Sequence, residues 1–163
     1  LTRFIGIDPG LQKTGWGIIE KEGSILRFIC GGQIKTDSKT PMGTRLAKID
    51  NELSDIITGY RPDSAAIEET FVNCNPASAL LLGQARGVAI AAAARLGLPV
   101  SEYSANLVKK SLVGNGHATK DQISMMIGIL LPSAKTESAD EDDALAIAIC
   151  HAHHVETELR VTG

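Results

Sequence analysis

Apolar residues along this chain recur with two different periods, and the change of period divides it. Residues 3–8, 15–20 and 25–34 alternate or run apolar in short bursts separated by Pro9-Gly10 and Glu22-Gly23, which predicts three consecutive strands in a meander. After a polar loop at 36–40, Leu46, Ile49, Leu53 and Ile56 return at spacings of three and four, the mark of an amphipathic helix ending before Gly59 and Pro62. A short strand is expected at 64–68. Asn75-Pro76 then offers a cap and a first-turn proline for a helix running to about residue 96. A further strand follows at 100–103, and the remainder reads as helical with a break at Gly114-Asn115-Gly116-His117. Thr119 and Gln122 have capping-box spacing ahead of Ile123, Met126, Ile127 and Leu130, and Pro132 stops that segment. The last helix is expected over about 137–154.

Three meander strands followed by strands alternating with helices predict an α/β domain with a mixed sheet. At 163 residues and 44% hydrophobic content, one continuous core and a single domain over 1–163 are expected. Cys30, Cys74 and Cys150 are odd in number and widely spaced, which points away from a disulfide framework or a zinc site. The longest apolar stretch, 88–94, is too short to span a bilayer and lies between Arg86 and Arg95. Nor does the start of the chain resemble a signal peptide, because Asp8, Pro9 and Gly10 interrupt it. A soluble, cytoplasmic protein with no membrane partner is the expectation. The net charge of −3 argues against a general nucleic-acid binder, but acids crowd into 137–143 while Lys109, Lys110, His117 and Lys120 fall in a stretch with no acid between them. That distribution leaves room for a local basic patch.

Four carboxylates stand out against this pattern. Asp8 ends the run Phe4-Ile5-Gly6-Ile7 and Glu68 ends Ala65-Ala66-Ile67, so each acid closes a strand that reads as buried. Asp-Pro-Gly is by itself a common turn, but Gly15 and Gly17 around Trp16 permit close approach of backbone or ligand. Glu68 shares a face with Ala66 and Ser64, whereas its neighbour Glu69 points the other way. On the last helix Asp140 and Asp143, three apart, project from one face, while Glu141 and Asp142 are rotated from Asp140 by roughly 100° and 200°. Acids in a first turn also compensate the helix dipole, but that does not explain an Asp directly abutting an apolar helix body. One acid from each of two strands and a pair from a helix would supply oxygen ligands for two Mg²⁺ ions, the arrangement used to hydrolyse phosphodiesters. His151, His153 and His154 suggest zinc, but His151 and His154 lie roughly 12 and 16 Å along the helix from Asp143. They are expected to be surface histidines.

Together these segments resemble a RuvC-type Holliday junction resolvase, a family within the RNase H-like nuclease superfamily. The resemblance covers almost the whole chain. It rests on Gly6-Ile7-Asp8-Pro9-Gly10 with Thr14-Gly15-Trp16-Gly17, on Ala66-Ile67-Glu68, and on Ser78-Ala79-Leu80 with Leu82-Gly83-Gln84-Ala85-Arg86-Gly87-Val88-Ala89. It extends through Val108-Lys109, Val113-Gly114, and Asp140 with Asp143-Ala144-Leu145-Ala146-Ile147-Ala148. Trp16, where a Tyr is common, and the acids Glu141 and Asp142 depart from the family pattern. The resemblance implies an RNase H-like fold: a mixed five-stranded sheet, three antiparallel strands plus two parallel ones, flanked by helices. It places Asp8, Glu68, Asp140 and Asp143 as a catalytic, metal-binding tetrad for two Mg²⁺ ions, for which Mn²⁺ can substitute. It matches Phe71 to an aromatic that contacts DNA and Lys109 and Lys120 to basic residues that bind or position it, where pattern alone leaves Phe71 open to a core role and the lysines to a solvated surface. The implied activity is Mg-dependent nicking of two like-polarity strands at a four-way junction by a homodimer that works with a RuvA- and RuvB-type branch-migration motor. Residue pattern alone admits two rivals, an actin or sugar-kinase type ATPase domain and a catalytically silent junction-binding protein. Chain length counts against the first and the intact carboxylates against the second. Gly83 and Gly87, with Ala85 and Ala89, signal close helix packing, within the chain or across a dimer.

Overall fold

The structure, a computed structural model, describes residues 1–69 and 75–162, with the side chains from 156 onward excepted. Phe71 and Cys74 lie outside the described residues. Five strands, β1 (Thr2–Asp8), β2 (Lys13–Glu22), β3 (Ile25–Lys35), β4 (Ser64–Glu68) and β5 (Val100–Tyr103), form one sheet in the order β3-β2-β1-β4-β5. β1, β2 and β3 pair antiparallel, and β4 and β5 add to β1 in parallel, so the anticipated mixed sheet is present. The helices are α1 (Met42–Tyr60), α2 (Pro76–Arg95), α3 (Ala105–Val113), α4 (Lys120–Leu130) and α5 (Ala139–Thr162).

Alternation along the strands builds two cores. Ile5, Ile7, Ile18, Ile34, Ala65 and Ile67 face α1 and α2. Phe4, Ile19 and Ala66 face the other way, toward α3, α4 and the apolar body of α5. The sheet is thus the middle of three layers, buried on both sides.

Helix limits follow local chemistry. α1 runs through Gly59 to Tyr60 and closes at Arg61, whose left-handed φ of 50° lets its N–H bond the Ile57 carbonyl just before Pro62. Its buried stripe is Arg45, Ile49, Leu53 and Ile57, rotated from the expected face so that a charged residue heads it. Asn75 caps α2 by accepting from the N–H groups of Ala77 and Ser78, and Thr119 with Gln122 forms the anticipated capping box of α4. α5 starts after Ser138, whose hydroxyl accepts from the Glu141 N–H, and it continues to Thr162.

α2 is, by length and composition, apolar enough to cross a membrane. Its Arg86 nevertheless pairs with Glu102 and bonds the Glu68 carbonyl, while Ala85, Ala89, Ala92 and Ala93 pack in the core. Leu80 and Leu81 on the same helix stay exposed.

The histidines correct the expectation of a surface cluster. His151 is 3% exposed, its two ring nitrogens 2.8 Å from Ser64 Oγ and from Tyr103 Oη, and its ring packs edge-on against Phe4. Burial pushes its pKa down to about 4. The Nδ1 atoms of His153 and His154 meet Ser111 Oγ and the Cys150 carbonyl. α5 is buried on every face from Ala144 to Ala152, so a polar residue at the end of that stretch lies in the core and must find partners there.

Candidate metal and DNA site

Strand register brings the first two acids together. Ile7 pairs with Ile67 across parallel strands, so Asp8 and Glu68, one residue on, leave the sheet side by side. Both belong to the face that carries Phe4, Gly6, Ser64 and Ala66, the face covered by α5.

Glycines deliver the other two. Gly6, Gly17 and Gly31 are register partners across β1, β2 and β3, with Ala66 continuing the row on β4. This leaves a trough almost free of side chains across four strands. α5 lies in it: a Cβ at Gly6 would collide with the Ala144 carbonyl oxygen and one at Gly17 with the Leu145 side chain. Gly15, the partner of Asp8, would collide in the same way with the Asp140 backbone, so its missing side chain is what lets the first turn of α5 descend beside Asp8.

The four acids then diverge in their immediate contacts. Asp140 accepts from Gln33 Nε2 at 2.5 Å, and Gln33 is the register partner of Gly15. Asp143 lies 3.7 Å from Lys120 Nζ. Asp142 turns to α4 and accepts from Ser124 Oγ, while Glu141 is buried against Gly31 and accepts from the Glu137 N–H. Glu69 is exposed beyond the end of β4. Asp8 is thus coupled to Glu68, Asp140 and Asp143, while the side chains of Glu141 and Asp142 make their hydrogen bonds elsewhere and Glu69 is exposed.

Burial and crowding of like charge disfavour the ionised forms of Asp8, Glu68 and Asp143. Burial, then the charges of Glu68, Asp143 and Asp140, push the Asp8 carboxyl from 3.8 up to about 7, against a smaller opposing pull from Lys120. Glu68 is raised by burial and by Asp143, and relieved by Lys109 and Lys120. Asp143 is raised by burial and by Asp140 and Asp142, with Lys120 opposing. Neighbouring acids in an all-oxygen donor set, with Asp8, Glu68 and Asp143 resisting ionisation, suit a hard divalent cation. Among the described residues no three acid, His or Cys side chains already stand around one point in ligating geometry. One carboxylate oxygen of Asp140 meets Gln33 and one of Asp143 lies near Lys120, which leaves each acid a second oxygen.

Lys109 and Lys120 line a cavity of about 240 Å³ together with Glu68 and Asp143, and Val108, Ala118 and Ile123 form its apolar wall. The sequence grouped Lys110 and His117 with them, but both are exposed outside it. Gln33 was missed by sequence reading. Its signal was slight: a polar residue two positions beyond Gly31 on the same strand face.

The match to known proteins is extensive. The family model "Crossover junction endodeoxyribonuclease RuvC" matches residues 4–151. A crossover junction endodeoxyribonuclease RuvC from Xanthobacter autotrophicus is 57% identical over 152 residues, covering 93% of this chain and 90% of that protein. A T. thermophilus RuvC solved in complex with a Holliday junction substrate superposes with a TM-score of 0.91 at 31% identity, covering 97% of each chain. The yeast mitochondrial Holliday junction resolvase shares the fold at a TM-score of 0.67 and 11% identity, covering 91% of this chain and 77% of that one.

Proposed function

This chain belongs to the RuvC family of crossover junction endodeoxyribonucleases, an RNase H-like fold, and we propose that it resolves four-way DNA junctions by paired, symmetric nicks in strands of like polarity. The observation that carries the chemistry is the convergence of Asp8, Glu68, Asp140 and Asp143 at one end of the sheet, where neighbouring acids oppose the ionisation of Asp8, Glu68 and Asp143. These four acids are the proposed catalytic and metal-binding set. They fit two Mg²⁺ ions, with Mn²⁺ as a substitute, and those ions when bound would supply an activated water and stabilise the departing 3′ oxygen.

The protein's own residues do the rest. Asp8, central to the cluster by its coupling to the other three acids, would be the acid most directly relieved by a bound cation. Gly15 and Gln33 hold the first turn of α5 so that Asp140 stays beside Asp8. Lys120, with 81% of its side chain exposed, and Lys109 in the cavity wall grip backbone phosphate next to the acids. Phe71, outside the described residues, takes the role of an exposed aromatic stacking on bases near the crossover.

Two symmetric nicks require two active sites, and α2 provides the surface for a homodimer. A Cβ at Gly83 or Gly87 would meet nothing within 4 Å, so the close packing these glycines permit is not used within the chain, and Leu80 is 72% exposed on the same helix. A cytoplasmic protein of one nuclease domain, 1–163, acting with a RuvA- and RuvB-type branch-migration motor completes the proposal. The ATPase and the silent binding protein find no support among the relatives, which are named as endonucleases.

The test is incubation of end-labelled four-way junction and sequence-matched linear duplex with and without Mg²⁺. Symmetric nicks confined to the junction and to Mg²⁺ are expected. Equal cutting of the duplex, or no cutting of either, would refute the proposal.

A further inference from the structure

Arg45 is only 7% exposed, yet no described carboxylate lies within ion-pair distance of it. Its Nε donates to Thr36 Oγ1 at 2.9 Å and its Nη2 to the Leu11 carbonyl at 3.3 Å. Thr36 in turn bonds that same carbonyl, and its N–H bonds the Gln12 carbonyl. The guanidinium is thus held in a fixed orientation by neutral acceptors, its charge uncompensated.

That placement is unfavourable for stability three times over. A largely buried cation without a counter-charge gives up hydration that neutral acceptors only partly replace. Arg45 also lies at the start of α1, where the helix dipole repels positive charge. And it occupies the head of a stripe otherwise made of Ile49, Leu53 and Ile57.

The surroundings show what the charge faces. Arg45 lines an open cavity of about 590 Å³ together with Gly10, Lys13, Ser38 and Ser78. No described acid lines it, and neither α1 nor α2, whose first turns approach it, carries an acid there. Asp37, next to the lining residue Ser38, accepts from the N–H of Lys39, and Asp50, farther along α1, pairs with Arg95. Two cations, two hydroxyls and the positive ends of two helices surround a cavity that begins two residues after Asp8. Leu11, whose carbonyl Arg45 holds, is three residues from Asp8, a reach of at most about 11 Å.

We propose that this cavity is a second anion subsite, which binds a non-scissile backbone phosphate of the junction and fixes the strand relative to the carboxylates. Arg45 supplies a rigid donor fork, Lys13 a mobile charge at the rim, and Ser38 and Ser78 hydroxyl donors. The inference rests on the junction-cleaving function proposed above. It also gives Arg45 a positioning role, because the same guanidinium that meets the phosphate holds the loop following Asp8.

The test is junction binding by fluorescence anisotropy in EDTA at several salt concentrations. Lys13→Ala and Arg45→Gln should each reduce the slope of log K against log[salt] by about one unit, and Arg45→Lys should recover the slope. Ser78→Asp separates binding from structure. An acid in the first turn of α2 should leave the melting temperature unchanged or raise it, yet weaken junction binding severalfold. Parent-like slopes in Lys13→Ala together with parent-like affinity in Ser78→Asp would overturn the subsite, even if Arg45→Gln fails to fold. If the parent itself does not nick junctions with Mg²⁺, the functional proposal fails; if it nicks while these slopes stay parental, only the subsite fails.

Discussion

Removing the charge of Asp8 should stabilise the metal-free protein, and by an amount that grows with pH. Folding raises this carboxyl from 3.8 to about 7, so between these values the native state binds more protons than the unfolded chain. Stability is therefore lost as pH rises through this window, and the loss is complete above pH 7. About three pKa units at 1.36 kcal/mol each amount to about 4 kcal/mol, an upper bound because coupled neighbours share the repulsion. His151 acts in the opposite sense. Its pKa is lowered from 6.5 to about 4, so its contribution is lost as pH falls through that range. Comparing parent with Asp8→Asn at each pH cancels the histidine term. In EDTA the advantage of Asp8→Asn should grow by roughly 2–3 kcal/mol between pH 5 and pH 8, or roughly 4–12 °C in melting temperature. Mg²⁺ at about 100 times its dissociation constant should restore about 2.7 kcal/mol to the parent and much less to the variant. The variant should bind junctions and not cut them. Thermal melts of both proteins at pH 5, 6.5 and 8, with EDTA or Mg²⁺, decide the matter. Parallel curves for the two proteins in EDTA would show that Asp8 does not ionise against its neighbours, and the electrostatic account of the site would fall.

Three further outcomes are expected. In single-turnover cleavage Glu68→Gln and Asp143→Asn should each lose at least 100-fold, about 2.7 kcal/mol in the barrier, while Glu69→Gln and Asp142→Asn lose less than tenfold; equal losses within either pair would mean that net charge, not position, carries the activity. Gly15→Ala should destabilise the fold by about 1–3 kcal/mol in urea titrations and slow nicking, because its Cβ meets the backbone of Asp140, which cannot move aside as a side chain would. His151→Ala should cost about 2–4 kcal/mol through a cavity beside Phe4 and the lost partners of Ser64 and Tyr103, yet leave the saturated single-turnover rate near that of the parent, since the ring takes no part in the carboxylate cluster.

Local rules determined much of the molecule. The alternation at Phe4 to Asp8 and Ser64 to Glu68 placed two acids at strand ends, and the 100° step of a helix separated Asp140 and Asp143 from Glu141 and Asp142, because such relations depend only on residues a few positions apart. Capping by Asn75 and by Thr119 with Gln122 was legible for the same reason. The sequence by itself could not say that β1 lies between β2 and β4, and that order is what sets Asp8 beside Glu68. Nor could it say that Gly6, Gly17 and Gly31 align into one trough for α5, since register joins residues up to 25 positions apart. Gln33 meets Asp140 across 107 residues and His151 meets Ser64 across 87. Arg45 entered the buried stripe of α1 because packing against the sheet rotated the helix away from the face its apolar residues alone would choose. Periodicity fixes which way a side chain points within its own element. Which element it then meets is decided by packing the whole chain into one volume, and that is a property of the tertiary structure alone.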